Sequence, residues 1–146
     1  MINIGINGFG RIGRAVFRIV SQLDDVRVVH INDINPSVEN LVYLLKYDSV
    51  YGKLDKVIES NESQILFNDR LIEVTQNSKI DQTNWIKSNV DIVIESSGII
   101  SNHKSAHKLI ESGIGKVIVT HSSEIVDKTV IFGVNENEYN EKTDNV

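Results

Sequence analysis

The sequence predicts an α/β fold: a doubly wound, mainly parallel sheet with helices on both faces and a small antiparallel hairpin excursion. Two patterns predict it. Short β-branched strands alternate with segments of helical period along most of the chain, the order that builds a parallel sheet with crossover helices. A glycine turn, Gly8-Phe9-Gly10-Arg11-Ile12-Gly13, joins the first strand to the first helix, and Asp33 closes the second strand 20 positions after Gly13.

Taken in order, Ile2, Ile4 and Ile6 alternate as a strand, and Ile12, Val16, Ile19 and Leu23 follow at helical spacing. Val26 to Asp33 reads as the second strand. Pro36 and Ser37 can cap and start a helix through Tyr47, with Leu41, Val42, Leu44 and Leu45 as its core stripe. From Val57 to Thr75, short apolar runs are broken by Asn61-Glu62-Ser63 and Asn68-Asp69, which predicts the antiparallel excursion. Val90 to Glu95 suits a buried parallel strand, and Ser97-Gly98 then leads to a helix from about Asn102 to Ser112. Lys116 to Thr120 and Thr129 to Val134 read as further strands, giving six in the main sheet. Asn135 to Val146 is a polar tail.

The 146 residues, 40% apolar and 24% charged, are expected to form one domain, 1–146, with a core of its own. A formal charge of -5 and the lack of any Lys/Arg run with interleaved aromatics argue against nucleic acid as a partner. No stretch approaches the roughly 18 apolar residues of a membrane span, and Met1 leads straight into a strand; a cytoplasmic protein with no membrane partner is expected. The chain contains no cysteine, so it carries neither a disulfide nor a thiolate nucleophile.

Each glycine of the turn has its own task in a dinucleotide site: Gly8 permits the turn, Gly10 admits a pyrophosphate, and Gly13 lets helix pack on strand. The helix then starts beneath the ligand, and the backbone N–H groups of Arg11 and Ile12 face it with the positive end of the helix dipole. Asp33 would accept hydrogen bonds from the adenosine ribose and repel a 2′-phosphate, which favours NAD over NADP. The competing reading of Asp33 is a cap or turn former for the helix that starts near Pro36.

The stretch Ile4-Gly5-Ile6-Asn7-Gly8-Phe9-Gly10-Arg11-Ile12-Gly13-Arg14 resembles the opening signature of the glyceraldehyde-3-phosphate dehydrogenase family. Similar matches recur at Leu44 to Gly52, at Asn84-Trp85, at Glu95-Ser96-Ser97-Gly98, at Val117 to Val119 and at Gly133-Val134-Asn135. The resemblance implies a Rossmann-type NAD-binding domain in which Asn7, Gly8, Gly10, Arg11 and Ile12 line the dinucleotide loop, Asp33 meets the ribose, Ser97 and Gly98 flank the nicotinamide end, and Thr120 offers a hydroxyl on that side. It further implies oxidation of a phosphorylated aldehyde with NAD and phosphate, and a homotetramer at full length. The family's cysteine motif has no counterpart in the chain, so no catalytic residue is assigned and these residues alone are expected to bind without catalysing. His121-Ser122 stands where the family commonly has Ala-Pro, and Ser78-Lys79 where it commonly has an Arg. A His after that strand also resembles the erythrose-4-phosphate dehydrogenases. Other readings are a non-catalytic NAD-binding module and a site for another adenine nucleotide, such as FAD or S-adenosylmethionine.

His103 and His107 stand four apart on a helix, which is metal-ligand spacing, but without a third ligand they read as solvated and no metal is assigned. His121 reads as a contact residue rather than a proton shuttle, and His30 as packed or exposed within its strand. Arg14 and Arg18 read as solvated, with Arg14 able to brace the glycine loop.

Overall fold

A computed structural model describes all of residues 1–146. Nine strands and three α-helices run in the order β1 (Ile2–Asn7), α1 (Arg11–Val20), β2 (Val26–Asn32), α2 (Val38–Lys46), β3 (Tyr47–Asp48), β4 (Gly52–Lys53), β5 (Ile58–Ser60), β6 (Gln64–Phe67), β7 (Arg70–Thr75), β8 (Ile92–Glu95), α3 (Ile100–Glu111) and β9 (Lys116–Val119). The main sheet has the order β5-β6-β7-β2-β1-β8-β9. β7, β2, β1, β8 and β9 are parallel, and β5 and β6 extend the β7 edge antiparallel. β3 and β4 form a separate two-stranded hairpin.

Alternation along β1 sets the two layers. Ile4 and Ile6 point into one core with Phe17 of α1 and Leu41 and Leu45 of α2. Gly5 faces the other side, where Trp85, Val93, Ala106 and Leu109 form a second core under α3. A Cβ on Gly5 would lie 2.7 Å from the Trp85 ring, so the small residue there is what lets the indole pack directly against the strand. The strand order reverses between β1 and β8, and the carboxyl ends of β1, β2 and β8 therefore open onto a crevice, the usual ligand position in such sheets. No helix is long and apolar enough to cross a membrane.

The main sheet holds seven strands rather than six, because the hairpin excursion joins it and Thr129–Val134 does not. The latter segment is a set of turns around Gly133 (φ +81), with Phe132 91% exposed. Asn135 ties it off, donating to the Thr129 carbonyl and accepting from Ile131 N, so the segment's polar groups are met locally instead of in a ladder. In α1 the inward face is Gly13, Phe17 and Val20, whereas Ile12 and Ile19 lie outside. The reason is Gly13: a Cβ there would overlap the Gly8 carbonyl oxygen, so only this glycine can meet β1.

Candidate cofactor site

Asn7 ends β1 and Gly8 turns the chain with φ +87, a conformation that L side chains rarely adopt. A Cβ on Gly8 would also overlap the Ser97 backbone, so the turn and the loop after β8 lie in direct contact. Gly10 differs in kind: its φ is ordinary at -71 and a Cβ would meet nothing within 4 Å. It opens onto free space at the N-terminus of α1, where no side chain caps the helix and no acidic residue occupies the first turn. The exposed Arg11 and Ile12 supply the first amides of that helix. This combination, open space above unpaired N–H groups with the positive end of a helix dipole and no competing carboxylate, fits a phosphate group.

The space is an open cleft of about 200 Å³ lined on one wall by Asn7, Gly8 and Gly10 and on the others by Asp33, Asn77 and Ser97. Asp33, half-buried, accepts from Phe9 N with one carboxylate oxygen (2.6 Å) and from Asn35 N with the other (2.9 Å). It thus forms the turn after β2 and fastens the glycine loop at once, while its carboxylate still lines the cleft. The cap of α2 is Ser37, whose hydroxyl accepts from Asn40 N.

Ser97 lines the cleft, but its hydroxyl is committed. It donates to Glu95 and accepts from Ile99 N and Asn102 Nδ2. Gly98 follows with φ +75 and open space around it. Thr120 is exposed beyond β9, and its hydroxyl donates to the Glu95 carbonyl (3.1 Å) instead of pointing free toward the nicotinamide side. The structure therefore gathers Asn7, Gly8, Gly10, Asp33 and Ser97 around one cleft and leaves Arg11, Ile12, Gly98 and Thr120 beyond its lining.

Beneath the cleft runs a chain of polar side chains that sequence patterns do not reveal. Asn7 Nδ2 donates to the fully buried Glu95, and Asn32 Nδ2 donates to Asn7 Oδ1 (2.7 Å) and to the Asn77 carbonyl (2.9 Å). The Thr75 hydroxyl lies 2.8 Å from Asn32 Oδ1 and 3.0 Å from His30 Nε2. His30 Nδ1 is 2.8 Å from the Ser88 hydroxyl, which donates to Glu73. Burial pushes the His30 imidazole down to about 4, and the Ser88 hydrogen bond holds Glu73 below the usual carboxylate range. The signal for these residues is the polar position in a buried strand: Asn7, His30 and Asn32 each break an apolar run.

Two side chains expected in solvent are inside. Arg18 is 8% exposed and donates to the carbonyls of Leu45, Gly52 and Tyr51. His103 is 1% exposed, and its nearest imidazole is His121, not His107, which pairs with Asp127 at 3.0 Å. Burial first, and His121 second, hold the His103 imidazole below its ordinary value. Arg14 does brace the loop, donating to the Phe9 carbonyl (3.1 Å).

A doubly wound sheet whose switch point carries a glycine turn, an uncapped helix N-terminus and an acid at the end of the second strand defines a dinucleotide-binding domain. Residues 2–103 match the family described as glyceraldehyde 3-phosphate dehydrogenase, NAD binding domain, and the chain belongs to that family. It is 43% identical over 145 residues to glyceraldehyde-3-phosphate dehydrogenase of Priestia megaterium, covering 99% of this chain and 43% of that protein. The corresponding figures are 39%, 99% and 43% for the enzyme of Geobacillus stearothermophilus, and 37%, 95% and 42% for the cytosolic enzyme of Trypanosoma brucei brucei. The chain thus spans less than half the length of the curated relatives it matches.

Proposed function

We propose that residues 1–146 form one NAD-binding domain serving a phosphorylating aldehyde dehydrogenase of the glyceraldehyde-3-phosphate type. The observation that carries this reading is the pairing of Gly10, open above an uncapped helix start, with Asp33 across the same cleft. The pyrophosphate would lie over Gly10 against the amides of Arg11 and Ile12, the adenosine ribose would meet Asp33, and the nicotinamide end would extend past Ser97 and Gly98 toward Thr120. When bound, the cofactor accepts a hydride from the substrate. This chain's own part is to bind and orient: Asp33 holds the loop while presenting its remaining lone pairs, and the Asn7–Glu95–Ser97 hydrogen bonds fix the far wall. The 146 residues contain no cysteine, so an acyl-transfer nucleophile has to come from outside them, as does the site for a phosphorylated aldehyde. The relatives' names support glyceraldehyde 3-phosphate as that aldehyde, and a homo-oligomer is expected for the whole protein.

Calorimetric titration with NAD and NADP tests the cofactor half of this reading. NAD binding is expected to exceed NADP binding, with the preference lost in Asp33→Ala. Gly10→Ala is expected to fold normally, its stability within about 1 kcal/mol of wild type, and to bind NAD at least tenfold more weakly. Undiminished NAD binding in both folded variants would overturn the placement.

A further inference from the structure

One buried side chain joins two walls of the cleft. Asn102, in the first turn of α3, is 2% exposed and belongs to the lining. Its Nδ2 donates to the Ser97 hydroxyl (3.0 Å), in the loop after β8. Its Oδ1 accepts from Ile80 N (3.3 Å), in the segment after β7 that also brings Asn77 and Ser78 to the cleft. The partners decide which way the carboxamide is turned. The Ile80 N–H can only donate, and the Ser97 hydroxyl has given its one proton to Glu95, so toward Asn102 it can only accept. A carboxamide meets both demands, whereas a carboxylate of the same shape has no proton for Ser97.

We propose that Asn102 is a positioning residue for the dinucleotide, holding the Ser97 wall and the Asn77–Ser78 wall at the separation the cofactor needs; this role rests on the NAD reading of the cleft. The walls follow β8 and β7, which are not neighbours in the sheet, so no ladder hydrogen bond sets their spacing. Side chains set it instead. From the Ser97 wall the tie runs through Glu95 to Asn7 at the end of β1. From the other wall, Asn77 N donates to Asn32 Oδ1 and the Asn77 carbonyl accepts from Asn32 Nδ2, at the end of β2. Asn32 Nδ2 also donates to Asn7 Oδ1, so the path closes on itself beneath the cleft, with Asn102 as the bridge on the α3 side. In a closed set of buried hydrogen bonds each member holds the geometry of the next, and removing the bridge leaves Ile80 N without its acceptor and Ser97 without one of its donors.

Asn102→Asp tests this role with almost no change of shape. When ionised, the new carboxylate still accepts from Ile80 N but has no proton for Ser97; burial and the nearby Glu95 raise its pKa, and protonation restores a donor. NAD affinity of the 146-residue chain, measured by calorimetry at about pH 8 and about pH 5.5 and compared with wild type at each pH, is the readout. The variant is expected to bind about tenfold more weakly at the higher pH and within about threefold of wild type at the lower. Asn102→Ala, its fold verified by circular dichroism, is expected to be about tenfold weaker at both. A deficit in Asn102→Asp that does not change with pH, or no deficit in either variant, would overturn the proposal. If wild type itself fails to bind NAD, the dinucleotide reading falls, and amide protection without nucleotide decides whether Asn102 joins the walls. In Asn102→Ala, protection is expected to drop together at Ile80 and at Ile99, whose N–H donates to the Ser97 hydroxyl; a drop at Ile80 alone would show that the walls are not joined.

Discussion

At the scale of single residues, the most consequential polar side chain is His30, 2% exposed in the middle of a central strand and hydrogen-bonded at both nitrogens. Its folded-state value of about 4 lies below the ordinary 6.5, because burial disfavours the imidazolium more than Glu73 favours it. Between those two values the unfolded chain binds a proton that the folded chain does not, so this group removes stability as pH falls from 6.5 toward 4 and has no further effect below. At about 1.4 kcal/mol per pH unit, the loss attributable to His30 over that window is about 3 kcal/mol. Urea unfolding of wild type and His30→Gln at pH 7 and pH 4.5 measures it. The wild type is expected to lose about 2 kcal/mol more stability than the variant between these two pH values, and parallel losses in the two would show that His30 is not held neutral by burial.

At the scale of elements, α1 shows how a helix readable from its period can hide its inward face. Ile12, Val16, Ile19 and Leu23 mark a helix, yet the close approach of Gly13 to the Gly8 carbonyl turns Phe17, Val20 and Arg18 inward. Arg18 then does what its charge alone does not suggest. Its Nη2 donates to the Leu45 carbonyl (2.6 Å), in the last turn of α2 where carbonyls lack helical partners, and to the Gly52 carbonyl (2.9 Å) in the β3–β4 hairpin. Arg18→Met keeps the apolar stem but removes the donor from the buried Leu45 carbonyl and from the part-buried Gly52 carbonyl, at a cost of about 2 kcal/mol. A lower urea midpoint and faster amide exchange across Tyr47–Lys53 are expected; an unchanged midpoint would mean that water replaces the guanidinium. The same physics divides what the sequence discloses from what it conceals. Strands β1, β2, β8 and β9, the hairpin excursion and the glycine turn are legible because period and turn chemistry are local. The Asn7–Asn32–His30 chain, the burial of Arg18 and the His103–His121 pair depend on which strands become neighbours, and residues 129–134 carry a strand's composition but meet their polar groups in local turns through Asn135. Within the site, Gly8, Gly10 and Asp33 are legible from spacing, but the fastening of the loop by Asp33 through Phe9 N is a tertiary fact.

At the scale of the whole molecule, the two cores on opposite faces of the sheet are closed at different ends: one by the β5–β6–β7 hairpins, the other by the last residues of the chain. Val117 N donates to the Asn145 carbonyl, and Val146, 8% exposed, joins the core under α3. Asp127 is the clasp. One of its oxygens accepts from Asn145 N (2.9 Å) and Val146 N (3.1 Å), the other meets His107 (3.0 Å), and its own N–H donates to the Val146 carbonyl. The His107 contact first, and these backbone donors after it, hold the carboxyl below the ordinary 3.8. A depressed carboxyl contributes stability above its unfolded value and loses it as pH falls through the folded one, so this clasp is at full strength at neutral pH and released in acid. Asp127→Ala is expected to cost about 1–2 kcal/mol and to raise amide exchange at Val117, Asn145 and Val146. NAD affinity is expected to stay at the wild-type value, because the clasp lies at the β9 edge while Gly10 and Asp33 sit over β1 and β2. Exchange that rises at Asn145 and Val146 together with a loss of NAD binding would show instead that the two faces of the sheet are energetically coupled, and that closing the α3 core helps set the geometry of the glycine loop.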